Sequence, residues 1–338
     1  MGKSSTRELD PPVEPDFDDD GPRRRFGGRK LGFLLVFLAL LFVAFVVLRI
    51  AGIEPNEELV AAMALTPYVA AGGLVLGLLC VLLRRRVVGI VVLLLAIVLG
   101  VLLMPRLLSE EQPAANGQRL RIMSVNLFLG KADPRTVVDI ARSQKADVLV
   151  MPELTQSEVV ALDKAGLAKL FPERLFEIGV GGEGTGVASR YPLRKIILMD
   201  ETTLSQPSMV VDLPGRDDVE LTAVHTQPGV RANSAATWRR ELSELPGPTP
   251  GERVRILAGD FNATFDHAAF RALVDRGYSD AGEEMGDGLM GTWQNLPLGP
   301  PVTIDHILTD NRCAIASYAV FNIPGSDHNA IVSEIVMP

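Results

Sequence analysis

Val254-Arg255-Ile256-Leu257-Ala258-Gly259-Asp260-Phe261-Asn262 begins as a buried strand and ends in two polar groups that strands ordinarily exclude. The same pattern recurs along the rest of the sequence. Asn126 interrupts the apolar run Arg119 to Leu127, and Glu153 follows the run Asp147 to Met151 across Pro152. His225 ends the run Val219 to Val224, Asp305 and His306 sit within Val302 to Leu308, and Asp327 and His328 precede Ala330 to Val336. Working groups tend to sit where strand ends meet loops, so converging strands would gather imidazoles, carboxylates and amides in one pocket. Taken singly, an Asp or Asn at a strand end is more often a turn former. As a set they are harder to dismiss, because three of the four histidines fall on these ends and two of them stand beside an Asp.

Further apolar runs at Thr185 to Ser189, Lys195 to Met199, Met209 to Leu213 and Ala314 to Phe321 read as strands, and Thr136 to Ser143, Ala235 to Leu245 and Ala268 to Arg276 as helices. Many strands with few helices predict an α/β fold, a four-layered sandwich of two mixed β-sheets flanked by helices, over residues 119–338. Other features take plainer readings. Asp266 caps a helix and leaves His267 exposed in its first turn, His306 is a packed strand residue and Trp238 is core. The glycine-rich run Gly179 to Gly186 lacks the Gly-Lys-Ser/Thr ending of a phosphate-binding loop and is a hairpin.

Upstream of the sandwich the composition changes. Residues 1–30 are rich in Asp, Pro, Arg and Gly without apolar periodicity and are expected to be a disordered tail. Leu31 to Ile50, Leu59 to Leu83 and Val87 to Met104 are nearly free of charge, and each approaches the roughly 20 residues that cross a bilayer. Three transmembrane helices over 31–104 and a linker over 105–118 follow. Arg23, Arg24, Arg25, Arg29 and Lys30 before the first span, and Arg84, Arg85 and Arg86 after the second, are retained on the cytoplasmic side. The catalytic part is then expected outside, with Arg106 as a mild counter-signal. Cys80 and Cys313 offer neither an intradomain disulfide nor a thiolate metal site, which for an extracytoplasmic domain suits a bacterial cell membrane. From Arg119 onward 21 Lys or Arg face 29 Asp or Glu, which argues against a dedicated nucleic-acid partner.

In order along the chain, Ser124-Val125-Asn126-Leu127, Met151-Pro152-Glu153-Leu154, Gly186 to Pro192, His225-Thr226-Gln227-Pro228, Gly259-Asp260-Phe261-Asn262, Thr292-Trp293, Ile304-Asp305-His306-Ile307 and Ser326-Asp327-His328 resemble the motifs of the endonuclease/exonuclease/phosphatase superfamily, the DNase I-like enzymes. Pro152 departs from the pattern, standing where Gln is usual. The resemblance implies a metal-dependent phosphoesterase. Under it Glu153 holds Mg²⁺ (or Mn²⁺) with Asn126 beside it, and Asp327 is either a further metal ligand or a turn residue. Asp260 orients or deprotonates the attacking water, while Asn262 holds phosphate or water. His328 contacts a phosphoryl oxygen, with Asp305 fixing its tautomer; His225 serves as a second imidazole, and Trp293 lines the pocket. Three spans followed by an outward-facing domain also resemble bacterial membrane proteins associated with teicoplanin resistance. That likeness implies a lipid-linked phosphate as substrate and the bilayer as partner. An extracellular tethered nuclease, a phospholipase C or sphingomyelinase-like phosphodiesterase, and a silent scaffold are the competing readings.

Overall fold

A computed structural model describes residues 26–215, 218–294 and 299–338. Most of the expected tail, residues 1–25, lies outside the described residues, but its last five positions are already helical.

The chain opens with helices α1 (Phe26–Ala51), α2 (Glu57–Ala64), α3 (Thr66–Leu82) and α4 (Arg86–Leu103), and a 3₁₀ turn, Met104–Leu107, follows. Two segments, Lys30–Ala51 and Arg86–Leu107, are long and apolar enough to cross a membrane. The expected straight second span is instead two helices bent by 72°, which would make a third crossing only if the pair counts as one. Pro67 is the physical reason: it opens α3, where its missing N–H is harmless, and so marks a new helix start inside an unbroken apolar run. Phe42, Val46, Ala70, Val92, Ala96 and Leu99 pack the three long helices together, while Phe33, Phe37, Leu40, Leu78, Leu94 and Val101 stay exposed. An apolar surface of that extent is unsuited to water.

The remaining elements are β1 (Arg119–Ser124), α5 (Pro134–Ser143), β2 (Val148–Pro152), α6 (Gln156–Ala165), α7 (Leu167–Leu170), β3 (Glu173–Glu177), β4 (Thr185–Ser189), β5 (Leu193–Ile196), β6 (Ser208–Val211), β7 (Val219–His225), α8 (Ala235–Glu244), β8 (Val254–Asp260), α9 (Ala268–Val274), β9 (Tyr278–Asp280), α10 (Ala281–Glu284), β10 (Asp305–Asp310), β11 (Ala314–Asn322) and β12 (Asn329–Val336). They form two six-stranded sheets, ordered β11-β12-β1-β2-β4-β3 and β5-β6-β7-β8-β10-β9. Both are mixed: β1 runs parallel to β2 and β7 parallel to β8, and the other pairings are antiparallel.

Strand alternation sorts the side chains into layers. Ile122, Val148 and Val150 from one sheet meet Leu221, Ala223, Ile256, Ala258 and Ile307 from the other in the central core. The opposite faces carry Met123, Leu149 and Met151 against α5 and α6, and Val224, Leu257 and Leu308 against Trp238, Leu242 and Phe270 of α8 and α9. The result is the expected four-layered α/β sandwich.

Candidate active site

Four inward-facing rows of the central core turn polar at one edge. Leu221 and Ala223 lead to His225, Ile256 and Ala258 to Asp260, Ile122 and Ser124 to Asn126, and Ile307 back to Asp305. Because the pleat repeats every second residue, these side chains point between the sheets like the core residues that precede them. The parallel pairs put the C-terminal ends of β1, β2, β7 and β8 on this edge, and antiparallel pairing adds the N-terminal ends of β10 and β12.

Two backbone features complete the convergence. Gly259 has φ +147°, and a Cβ there would come within 2.0 Å of the Val224 carbonyl oxygen, so the tight β7–β8 approach before Asp260 admits only glycine. Glu153 has φ +59° and Asn262 φ +47°. Left-handed conformations cost non-glycine residues about 1–3 kcal/mol and collect at functional sites. The turn at Glu153 takes it out of its strand's alternation and lets its carboxylate reach the neighbouring strand end.

Asn126 links the carboxylates, donating from Nδ2 to Glu153 Oε1 at 3.1 Å and to Asp260 Oδ2 at 3.0 Å. Its Oδ1 accepts from the Phe128 amide at 2.9 Å, and Glu153 Oε2 accepts from the Leu129 amide at 2.8 Å. Asp260 Oδ1 takes the Asn262 amide at 2.8 Å, and the Asn262 carboxamide donates to the Thr226 carbonyl at 3.0 Å. His328 Nδ1 lies 2.9 Å from Asp305 Oδ2, while its Nε2 stands 3.8 Å from Asp260 and 3.9 Å from Asp327. His225 Nε2 is 4.0 Å from Glu153 Oε1. Trp293 donates from its indole to Asp327 Oδ2 at 3.0 Å. Every residue expected at the site therefore lies in one connected constellation.

Burial sets the protonation states. Burial alone would push the His328 imidazole down, but Asp305 outweighs it and, with Asp260 and Asp327, raises it to about 9. Asp260 is pushed up to about 7 by burial and then by the Asp305 charge. His225 is pushed down to about 3 by burial, with the His328 and Arg231 charges adding to the effect. It is accordingly a neutral ring that can still donate one N–H.

The donor set fits a hard divalent cation. Asp260, Asp305 and His328 each present a ligand atom within 4.8 Å of the others, and Glu153 adds a carboxylate beside Asn126. Asp305 Oδ1 and Asp327 Oδ1 are buried without a hydrogen-bond partner among the described residues. Orphaned oxygens in a carboxylate-rich cluster are what Mg²⁺-like ions seek. The cation would also offset the negative charge of a pocket that otherwise repels phosphate.

Two supporting residues were not singled out from the sequence, although both lie inside motifs quoted above. Thr292 Oγ1 accepts the amides of Ile304 and Asp305, both at 3.0 Å. Ser326 Oγ donates to the Asn126 carbonyl at 2.8 Å and accepts the His328 amide at 3.0 Å. Asp266 and its neighbour are corrections. His267 is not exposed but buried, its Nδ1 accepting the Thr264 amide at 2.8 Å and its Nε2 lying 2.8 Å from the Val60 carbonyl. Asp266 does not cap α9; its carboxylate binds Arg49 and Arg106. His306 and Trp238 are buried as expected.

The fold has known counterparts. The structure is similar to an endonuclease/exonuclease/phosphatase from Beutenbergia cavernae, with TM-score 0.50 and 17% identity over 65% of this chain and 72% of the other. It is also similar to a humanized D. rerio TDP2, with TM-score 0.51 and 19% identity over 64% and 98% of the two chains. For a truncated Caenorhabditis elegans TDP2 the TM-score is 0.50 at 17% identity, over 64% and 97%. No curated protein matches the sequence. The profile of the Endonuclease/Exonuclease/phosphatase family matches residues 123–328, a span that opens just before Asn126 and closes on His328. This chain belongs to that family and is a phosphoester hydrolase.

Proposed function

We propose that the enzyme hydrolyses a phosphoester or pyrophosphate carried by a membrane lipid, at the outer face of a bacterial cell membrane. One observation carries this reading: the loops that bear the site also land on the ends of the apolar helices. Asn262 is four residues from Asp266, which binds Arg49 at the end of α1 and Arg106 beyond α4. Four residues span at most about 14 Å. Trp293 pairs with Val302, and the carbonyl of the adjacent Pro301 accepts the Tyr68 hydroxyl of α3 at 2.7 Å. From α8, Arg239 donates to the Glu54 and Pro55 carbonyls ahead of α2. If the apolar helices cross the bilayer, a site so close to their ends meets phosphates at the membrane surface first, and confinement raises their effective concentration there.

The basic clusters around Arg23 to Lys30 and Arg84 to Arg86 support a cytoplasmic start, so three crossings, the second broken at Pro67, leave the sandwich outside. Mg²⁺ (or Mn²⁺) would be held by Glu153 beside Asn126, with Asp260, Asp305 and Asp327 in reach. Bound there, it would neutralise phosphoryl charge. The chain's own groups do the rest. Asp260 orients the attacking water and takes its proton, and Asn262 steadies it. His328, kept charged by Asp305, and the neutral N–H of His225 bind phosphoryl oxygens.

The test is phosphate release from undecaprenyl pyrophosphate in vesicles against nicking of plasmid DNA, each with Mg²⁺ or chelator. Chelator-sensitive release with DNA left intact supports the reading. DNA nicking without phosphate release would replace it with a tethered nuclease.

A further inference from the structure

The seam between the apolar helices and the sandwich holds a charge cluster that hydrolysis does not need. Asp266 Oδ1 accepts from Arg49 Nε at 3.0 Å and Nη2 at 2.9 Å, and from Arg106 Nη2 at 3.1 Å; its Oδ2 accepts from Arg106 Nη1 at 2.8 Å. The side chains of Arg49, Arg106 and Asp266 are 7%, 6% and 1% exposed. Arg49 lies in the last turn of α1 and Arg106 in the 3₁₀ turn after α4, so two helices far apart in sequence are tied to one carboxylate. Further contacts brace it. Arg106 stacks 5.4 Å over the Phe265 ring and pairs with Glu283 at 3.2 Å, and Arg271 donates to the Phe265 and Asp266 carbonyls, both at 2.8 Å. Beside them Glu54 accepts the Ala269 amide at 3.2 Å, and His267 meets the Val60 carbonyl.

Burying two guanidiniums and a carboxylate is a poor route to stability, because apolar side chains of similar volume usually serve as well or better. What two-pronged guanidinium contacts supply is direction: Arg106 places one N–H on each Asp266 oxygen, fixing distance and plane, and Arg49 brings Nε and Nη2 together on Oδ1. The element so fixed is the loop from Asp260 to His267, which carries Asp260 and Asn262 at its other end. We infer that the Arg49–Asp266–Arg106 clamp is a positioning device that sets the height and tilt of the catalytic edge over the helix ends, and so confers preference for a bilayer-embedded phosphate over a soluble one. The inference rests on the lipid-phosphate reading. Arg49, Arg106 and Asp266 touch no reacting atom; they act through the loop.

The experiment uses the full chain in vesicles, comparing undecaprenyl pyrophosphate with the soluble diester bis(4-nitrophenyl) phosphate. Arg49→Gln removes one fork, and Arg106→Lys keeps charge but loses the two-pronged geometry, which guards against a single variant failing to fold. Each variant should lose on the order of 10²-fold in kcat/KM on the lipid, the lower end of what confinement beside a tethered site contributes. Turnover of the soluble diester should stay within about twofold, and amide hydrogen exchange over residues 264–267 should quicken. Equal losses on both substrates would overturn the clamp as a specificity device, as would unchanged lipid turnover with quickened exchange. A wild-type enzyme active on the diester and inert on the lipid would instead sink the lipid reading itself, an outcome distinct from either.

Discussion

Two histidine–carboxylate pairs lie side by side in this sandwich and do different things. His328 meets Asp305 and His306 meets Asp280, each through Nδ1 at 2.9 Å and each buried. Asp305 and His306 are adjacent on β10, so the pleat sends one between the sheets with Ile307 and the other outward with Leu308. The second nitrogen separates the pairs. His306 Nε2 is 2.9 Å from the Ala263 carbonyl, so both ring nitrogens face oxygen and the ring is held among Phe261, Phe265 and Phe270. Burial pushes His306 down, yet Asp280 outweighs it and keeps it raised. Among the described residues His328 Nε2 has only Asp260 and Asp327 near it, at 3.8 and 3.9 Å, and the proposed mechanism gives it a phosphoryl oxygen. Under the proposed mechanism one pair is spent on the fold and the other is kept for substrate.

The same substitution in both pairs gives the largest contrast. His328→Gln should lower kcat on a phosphodiester by about 10²–10³-fold, the usual cost of one transition-state donor. His306→Gln should leave kcat of the folded enzyme within about threefold, while unfolding free energy drops by about 1–3 kcal/mol for the stranded buried partner. Comparable kcat losses in the two variants, with stability unchanged in His306→Gln, would erase the distinction.

A smaller effect should appear in the pH profile. His328 sits at about 9 when folded against an ordinary 6.5. The stabilisation of its charged form is complete below 6.5 and is lost as pH rises through 9. Asp305→Asn should bring that alkaline limb down by about 1–3 units, read from kcat against pH. A limb that does not move would mean that Asp305 is not what holds the charge.

The smallest shift concerns the cation. Asp260 is raised to about 7 against an ordinary 3.8, so without metal the folded state keeps this proton longer than the unfolded chain does. Its stability contribution is full below 3.8 and falls as pH rises through that window. Mg²⁺ binding, which needs the carboxylate ionised, should therefore raise Tm by several degrees near pH 8 and hardly at all near pH 5. Equal shifts at both, followed by differential scanning fluorimetry, would place the cation away from Asp260.

Most of the site was readable because a polar residue closing an apolar, alternating row is visible without coordinates. Asp260, His225 and Asn126 are of this kind. Glu153 was readable as a polar group just past a strand, but the left-handed turn that aims it leaves no mark in hydropathy. The seam was misread for a different reason. Asp266 followed by Ala-rich helix looks like a cap, and Arg106 looks like a topology signal, because nothing local shows that residues 160 positions apart are paired. The bend ahead of α3 did leave a trace, Thr66-Pro67, but the continuous apolar run around it masked the break.

The most direct test is hydrolysis of a soluble phosphodiester by metal-stripped enzyme, before and after Mg²⁺ is returned, with Asp260→Ala in parallel. A metal-dependent centre at the strand ends predicts activity that disappears on stripping, returns with Mg²⁺, and is absent from Asp260→Ala at every Mg²⁺ concentration. Activity that survives stripping, or that persists near the wild-type level in Asp260→Ala, would contradict it.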